Sequence, residues 1–379
     1  VSEAARPAPP VLFEPLALRG LQLPNRIVVS PMCQYSALEG CAADWHRVHL
    51  GQLALSGAGL VMIEATAVEP RGRITPGCLG LYDEATEAAL ARTLEVVRAV
   101  AGPVPLGIQL GHAGRKASSA APWDGGQLIA PSAGGWGPVG PSALAHRDGE
   151  PPPEALDAAG LAAIRDAFVD AARRAARLGL DALELHAAHG YLLHQFLSPI
   201  SNRRTDAWGG DLASRMRFPL AVFDAVRAVW PSERPLGVRV SATDWVDGGW
   251  DPEQTVVFAR ELTARGCDWI DVSSGGVSPA QRIPLGPGYQ VPLARRVRDA
   301  VGIPVIAVGL ITEPRQAEAI VASGDADLVA LARGMLWNPR WPWHAAAELG
   351  ATVQAPRPYW RAPPRGATDA FGPVRFGQR

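Results

Sequence analysis

Pro105-Leu106-Gly107-Ile108-Gln109-Leu110 recurs in kind as Pro235-Leu236-Gly237-Val238-Arg239-Val240. In an extended chain successive side chains alternate between faces. Gly107 and Gln109 then share one face, as do Gly237 and Arg239, and the bulky apolar residues take the other. Such strands suit a closed barrel. The apolar side packs against helices, and the polar residue stands near the C-terminal mouth, above space that the glycine leaves open.

Working outward, six more apolar runs read as strands, at 27–32, 59–65, 182–186, 269–274, 304–309 and 328–333. Helical patterns alternate with the eight strands at 45–56, 85–99, 161–178, 215–229, 252–265, 293–300, 314–323 and 337–349. Eight such units without a domain break predict an α/β fold closed as a (β/α)8 TIM barrel, in preference to a doubly wound sheet. Residues 12–23, with Arg19-Gly20 between apolar runs, read as an N-terminal β-hairpin. The Gly-, Pro- and Ser-rich segment 111–153 is too long for a tight connection and reads as a lid or binding loop. A single domain is expected over 12–361, with flexible extensions at 1–11 and 362–379.

The chain has 379 residues, a formal net charge of −1 and a pI near 6.8. That balance argues against nucleic acid or an anionic membrane surface as partner. No apolar run approaches the roughly 18–20 residues of a membrane span, and Val1 to Pro10, with Glu3, Arg6 and three prolines, is not a signal peptide. Cys33, Cys41, Cys78 and Cys267 form no C-x-x-C pair. Reduced thiols in a cytoplasmic enzyme are the expectation.

In this fold the active site forms at the C-terminal strand ends. Polar or glycine-rich endings fall on nearly every strand: Ser30-Pro31-Met32-Cys33-Gln34-Tyr35, Glu64-Ala65-Thr66, Gln109, His186, Arg239, Ser273-Ser274-Gly275-Gly276, Gly309 and Ala332-Arg333-Gly334. One ligand spanning the mouth would explain them together. Glu184-Leu185-His186-Ala187-Ala188-His189-Gly190-Tyr191 places two imidazoles three residues apart, with a phenol two further on. If a turn begins after His186, both rings face one point. Two neutral N–H donors there can hold a carbonyl oxygen as charge builds on it, and the phenol can deliver a proton. Satisfied loop histidines are the plain alternative. Zinc is disfavoured, because no second His/Cys cluster stands at ligand spacing.

Gly309 allows close backbone approach, and Arg333 offers a planar fork for phosphate; a surface ion pair is its alternative. Gln109 has the donor and acceptor that match a heterocyclic imide edge, or it simply caps a strand. Arg239 suits a ligand that becomes anionic: at an effective dielectric near 20, a unit charge at ~4 Å is worth about 4 kcal/mol before desolvation. Its alternative is a buried ion pair with Glu184, whose carboxylate needs a partner, Arg26 or Arg239. Cys33 reads as a buried small hydrophobe, Tyr35 as core, and His112, Arg115 and Lys116 as solvated charges or as mouth residues.

Taken together, Ser30-Pro31-Met32-Cys33-Gln34-Tyr35, Glu64-Ala65-Thr66-Ala67-Val68, Gln109-Leu110-Gly111-His112-Ala113-Gly114-Arg115-Lys116, His186-Ala187-Ala188-His189-Gly190-Tyr191 and the run from Ser201 to Gly210 resemble the old yellow enzyme family of FMN-dependent ene-reductases. Arg239 and Ala307-Val308-Gly309 complete the match, which lies closest to the thermophilic-like, xenobiotic reductase subclass and covers about Leu12 to Arg361. The resemblance implies tightly bound, non-covalent FMN across the mouth. Backbone at Ser30, Pro31, Met32, Cys33 and Ala65 would hold it, with Gln109 at the pyrimidine edge and Arg239 by N1/O2. Gly309, Ala332 and Arg333 would take the phosphate. It further implies His186 and His189 as holders of the substrate carbonyl, Tyr191 as proton donor, Tyr35 as a substrate contact and Cys33 as a modulator of the flavin. NADPH would be the hydride donor, and an activated C=C bond in a small-molecule enone, or a nitro compound, the acceptor. Tyr359-Trp360-Arg361 resembles a subclass ending whose arginine enters a neighbouring site, which implies a homodimer or homotetramer. This chain departs from the family at Ala332, where glycine is usual. A dienoyl-CoA reductase type is disfavoured by the absence of a cysteine cluster. A Schiff-base lyase is disfavoured because Lys116, the sole lysine, lies outside any strand core. A non-catalytic flavin-binding or sensor protein is the remaining alternative.

Overall fold

A computed structural model describes residues 10–374. Flexibility expected at 1–9 and 375–379 lies outside the described residues. Eight parallel strands close into a barrel in chain order: β1 Ile27–Val29, β2 Leu60–Ala67, β3 Leu106–Gly111, β4 Ala182–Ala187, β5 Leu236–Ser241, β6 Trp269–Ser273, β7 Val305–Val308 and β8 Leu328–Leu331. β8 returns to β1, with Val329 beside Ile27 and Leu331 beside Val29. Around them run α1 Asp44–Ala54, α2 Glu84–Ala101, α3 Ala158–Arg177, α4 Leu192–Leu197, α5 Leu212–Val229, α6 Pro252–Ala264, α7 Val291–Arg298, α8 Pro314–Ala322, α9 Arg333–Trp337 and α10 Trp341–Leu349. Four helices begin where an aspartate caps them: Asp83, Asp157, Asp211 and Asp251 each accept a backbone N–H from the first turn, worth about 1 kcal/mol apiece. The expected eighth helix, 337–349, is divided between α9 and α10. Pro339 removes a donor and biases Asn338 out of the helical region, and the Asn338 carboxamide instead accepts the Arg340 N–H at 3.0 Å. No helix among the described residues is long and apolar enough to cross a membrane.

The interior has two storeys. The lower is apolar: Val28, Leu60, Met62, Trp269, Ile306 and Leu328 meet Leu18 and Leu23 of the hairpin Leu16–Leu18/Leu21–Leu23, which closes the barrel from below. Each fully buried leucine contributes about 1.5–3 kcal/mol. The glycines of the two repeated strands serve this storey. A Cβ on Gly237 would stand 2.0 Å from the Trp269 indole, and one on Gly107 would stand 2.4 Å from Met62 Sδ. The space expected above each glycine is therefore filled by side chains of neighbouring strands.

β2 carries a feature unseen in the sequence. Its pairing with β3 runs Ile63–Ile108 and then Ala65–Gln109, so Glu64 is an extra residue, a β-bulge. The bulge turns the Glu64 carboxylate out to the Gln34 N–H (3.0 Å) and His46 Nε2 (3.2 Å) and brings Ala65 beside Gln109. At the other end, the chain past Arg361 folds back instead of fraying. Val353 N–H donates to Ala370 O at 2.8 Å, and Trp343 packs edge-on against Tyr359 and Phe371. Phe371, lone among prolines and arginines, supplies the anchor that composition obscures.

Candidate active site

Register stacks the polar residues of β3 to β6. Gln109 pairs with Glu184, Glu184 with Gly237, and Gly237 with Trp269; one step up, His186 pairs with Arg239 and Arg239 with Asp271. The Glu184 carboxyl accepts from Gln109 Nε2 (2.8 Å) and Trp269 Nε1 (3.1 Å). Neither Arg26 nor Arg239 is its hydrogen-bonding partner, contrary to expectation. Arg26 reaches Glu14 (3.6 Å), and Arg239 Nε stands 3.4 Å from Asp271 Oδ2. The reason is the one-step offset, which sets Arg239 level with Asp271 and above Glu184. Burial, and then the neighbouring Asp271 charge, raise Glu184 to about 8, against the pull of Arg239 and the two donors. Burial raises Asp271 as well.

This gives a pH signature. Glu184 binds its proton near pH 8 in the native state and near 4.5 when unfolded. Between those values the native state holds a proton that the unfolded state has released, so rising pH favours unfolding. FMN-free wild type should lose stability relative to Glu184→Gln as pH climbs from about 4.5 to about 8, by at most about 1.4 kcal/mol per unit. Thermal melts across that range check this. A constant gap between the two proteins would sink it.

His186 ends β4, and the chain then turns sharply. His189 takes φ +57° and Gly190 +72°. A side chain on Gly190 would meet Gly276 O at 2.1 Å, so two loops abut there. Gly190 N–H donates to His194 Nδ1 (2.8 Å), and His194 Nε2 meets the buried Asp244 carboxylate at 2.9 Å. Asp244 also takes the Ser198 hydroxyl and the Trp250 N–H. This chain of contacts fixes the turn, and with it both imidazoles. Their ring centres lie 5.0 Å apart, and Tyr191 stands 4.9 Å from His186.

The hydrogen bonds order the protons. Ala188 N–H donates to His186 Nδ1 (3.2 Å), so His186 carries its proton on Nε2, 3.3 Å from His189 Nδ1. His189 Nε2 meets Ser273 Oγ at 2.7 Å. Burial, then Arg239, push both imidazoles well below the usual histidine range, so both are neutral near pH 7. Burial raises the phenols of Tyr191 and Tyr35, keeping them protonated.

His112 and Arg115 are buried and Lys116 is half-buried. His112 Nε2 meets Glu69 at 2.8 Å. Arg115 holds the long loop 111–153 by donating to the carbonyls of Leu144, Ala145 and, across the mouth, Val277. Lys116 donates to His189 O (2.9 Å) and Gly276 O (3.0 Å), with its ammonium 5.0 Å from the Tyr191 ring centre. Ser30 is buried beneath Arg239, whose Nη1 reaches Ser30 Oγ at 3.4 Å. Pro31, Met32 and Cys33 follow it, and Tyr35, at φ +53°, packs edge-on against Trp123 of the long loop. The Cys78 side chain and burial push the Cys33 thiol up, against the pull of the Ala65 backbone.

Across the mouth, Gly309 takes φ +119° against Gln290. Gln290 is buried and ties Ser274 Oγ (2.5 Å) to Val308 O (2.7 Å). Ala332 precedes α9, and Arg333 is exposed without an ion pair among the described residues. Arg361 is not brought to this cluster. It lies exposed along a groove with Trp360, Pro363 and Asp369. Sequence reasoning missed Asp271 and took Ser273 only as part of a polar strand ending, although Trp269-Ile270-Asp271-Val272-Ser273 alternates cleanly. It also missed Gln290 and Cys78; Lys116 takes the mouth position, one of the two readings open to it.

Residues 11–351 match the model of the NADH:flavin oxidoreductase / NADH oxidase family. The chain is 44% identical over 353 residues to an NADPH dehydrogenase of Geobacillus thermodenitrificans, covering 93% of this chain and 98% of that one. It is 43% identical over 361 residues to an NADH:flavin oxidoreductase of Gibberella zeae, covering 90% and 87%. Among solved structures, morphinone reductase superposes with a TM-score of 0.74 at 30% identity, covering 98% of this chain and 99% of that one. A closed barrel, a mouth with Arg239 and paired neutral imidazoles, and matches along nearly the whole length agree: the chain belongs to the NADH:flavin oxidoreductase / NADH oxidase family, that of the old yellow enzymes, and is an FMN-dependent NAD(P)H oxidoreductase.

Proposed function

We propose that the protein uses NADPH to reduce the activated C=C bond of α,β-unsaturated carbonyl compounds, and that FMN lies across the barrel mouth. The flavin assignment draws support from Arg239, a buried cation whose Nε meets the Asp271 carboxylate only at 3.4 Å. Arg239 Nε is buried without a hydrogen bond among the described residues. It would donate to the N1/O2 edge of a flavin, with Gln109 serving the pyrimidine. Backbone at Ser30, Pro31, Met32, Cys33 and Ala65 would line the ring, and Gly309, Ala332 and Arg333 would receive the phosphate. When bound, FMN supplies the hydride.

The substrate assignment rests on one observation: His186 Nε2 and His189 Nδ1 face each other at 3.3 Å, beside Tyr191. A hydroxyl both donates and accepts. When Ser273 donates to His189 Nε2, the His189 proton moves to Nδ1. Two N–H groups then converge on one point, as an enolate-like oxygen requires. Tyr191, kept protonated and packed under the Lys116 ammonium, gives its proton to the α-carbon. Tyr35 borders the substrate. Morphinone reductase, as its name states, acts on a carbonyl compound, which accords with this reading. We also assign the protein to the cytoplasm and to a homo-oligomer in which Arg361 reaches a neighbouring mouth. The outward position of Arg361 on its own chain supports that arrangement.

Anaerobic titration with NADPH should bleach the flavin, and 2-cyclohexenone should restore its colour. Tyr191→Phe should slow that return by about 10²–10⁴ and leave the bleaching rate near wild type. Slowing confined to the bleaching step would remove Tyr191 as proton donor. Bound FMN that NADPH leaves oxidised would favour a flavin-binding sensor.

A further inference from the structure

Behind the paired imidazoles lies a buried serine whose proton has few places to go. Ser273 Oγ stands 2.7 Å from His189 Nε2. Its other neighbour, Gln290 Oε1, is 3.5 Å away, too far for a good O–H···O bond. Gln290 Nε2 donates to Val308 O at 2.7 Å, which turns the amide oxygen towards the serines, and Ser274 takes that oxygen at 2.5 Å. The near acceptor left for the Ser273 hydroxyl, among the described residues, is His189 Nε2. The histidine itself is pinned on both sides of its α-carbon. Its N–H donates to Ser241 Oγ at 2.9 Å, Ser241 donates on to Gly275 O at 2.8 Å, and Lys116 holds the His189 carbonyl at 2.9 Å.

A neutral imidazole carries one proton, and the bond made at one nitrogen decides the role of the other. With the His189 proton on Nε2, the ring donates to Ser273 and accepts at Nδ1 from His186 Nε2, 3.3 Å away. The Ser273 proton is then left with the distant, occupied Gln290 oxygen. With the His189 proton on Nδ1, Ser273 donates to Nε2 and is satisfied. Nδ1–H and the His186 Nε2–H then point at one place, and Ala188 N–H on His186 Nδ1 keeps that ring from yielding. Each arrangement leaves a hydrogen that the protein does not accept, and such a group is costly when buried. An oxygen between the two nitrogens that accepts twice completes the second arrangement. It does nothing for the first.

We propose, building on the oxyanion role assigned to this pair above, that Ser273, aimed by Gln290, is a positioning residue that selects the Nδ1–H tautomer of His189 and so makes the two imidazoles a double donor. Passing from the first arrangement to the second, His189 releases a proton from Nε2 and takes one at Nδ1, both exchanged with water, so the ring stays neutral. The Ser273 hydroxyl turns from acceptor to donor. Gln290 serves by engaging Ser274 and leaving the Ser273 proton free for that turn.

The test takes the FMN-loaded protein, with 4-hydroxybenzaldehyde as a phenolate probe. In protein labelled with 15N-histidine, with the His189 signals assigned by their absence from His189→Asn, the probe-bound wild type should carry the His189 proton on Nδ1 and show Nε2 as a bare acceptor. Calorimetry supplies the second readout. Ser273→Ala strands Nε2 without a donor and should weaken phenolate binding by about 10- to 100-fold, whereas Ser273→Thr keeps the hydroxyl and should restore most of the affinity. A His189 proton that stays on Nε2 with the phenolate bound overturns the proposal, and that readout needs no variant of Ser273 to fold. Ser273→Ala binding the phenolate as tightly as wild type, or a loss that Ser273→Thr does not restore, overturns it too. Phenolate binding indifferent to His186→Ala/His189→Ala would instead sink the oxyanion role itself, and the tautomer assignment with it.

Discussion

Replacing both imidazoles, in His186→Ala/His189→Ala, should cut cyclohexenone turnover by at least about 10²–10³ while the protein keeps its FMN. One oxyanion donor is typically worth that much, and donors that act as a unit do not add, so the double variant should be little worse than the poorer single one. Steady-state rates against flavin content per chain check both parts. His189 carries a further constraint, its φ of +57°. Alanine there loses a donor and also strains the left-handed backbone by about 1–2 kcal/mol. Asparagine tolerates that region and keeps an N–H donor. His189→Asn should therefore recover much of the rate that His189→Ala loses. Turnover by the double variant within a few-fold of wild type would remove the pair from the chemistry.

Gly237→Val should abolish folding at ordinary temperature. The smallest side chain there meets the Trp269 indole at 2.0 Å, and that indole cannot turn away without abandoning Glu184, to which it donates at 3.1 Å. Overpacking costs typically 1–3 kcal/mol. Losing the hydrogen bond to a buried carboxyl adds about 1–3 kcal/mol more, against a total stability of about 5–15 kcal/mol. Soluble expression and a thermal melt decide it. Gly237→Ala should be milder but still several degrees lower in Tm. A variant that melts with wild type would mean that Trp269 has room the packing denies.

These two experiments mark what the sequence made legible. The barrel followed from apolar runs that begin each strand, because a parallel strand covered on both faces leaves little else to write. The mouth followed from where those runs stop. His186, His189 and Tyr191 are brought together because their spacing within one turn is local. What stayed hidden depends on register between strands. Arg239 and Asp271 are partners because β5 and β6 align them, and neither strand alone says so. The bulge at Glu64 is a relation between two strands. The glycine gaps were visible, but not that Trp269 and Met62 occupy them. Lys116 reads equally as a solvated charge or a mouth residue until the turn at Gly276 comes across to meet it. Ala37 and Gly77 are joined by loops that no periodicity links.

The apolar lower storey bears on more than stability. With Leu18 and Leu23 sealing it, no electrolyte can approach Arg239 and Asp271 from beneath. A bound ring would cover them from above. Mobile ions weaken a field only where they can reach it, so the electrical environment of the mouth is insulated from the ionic strength of its surroundings.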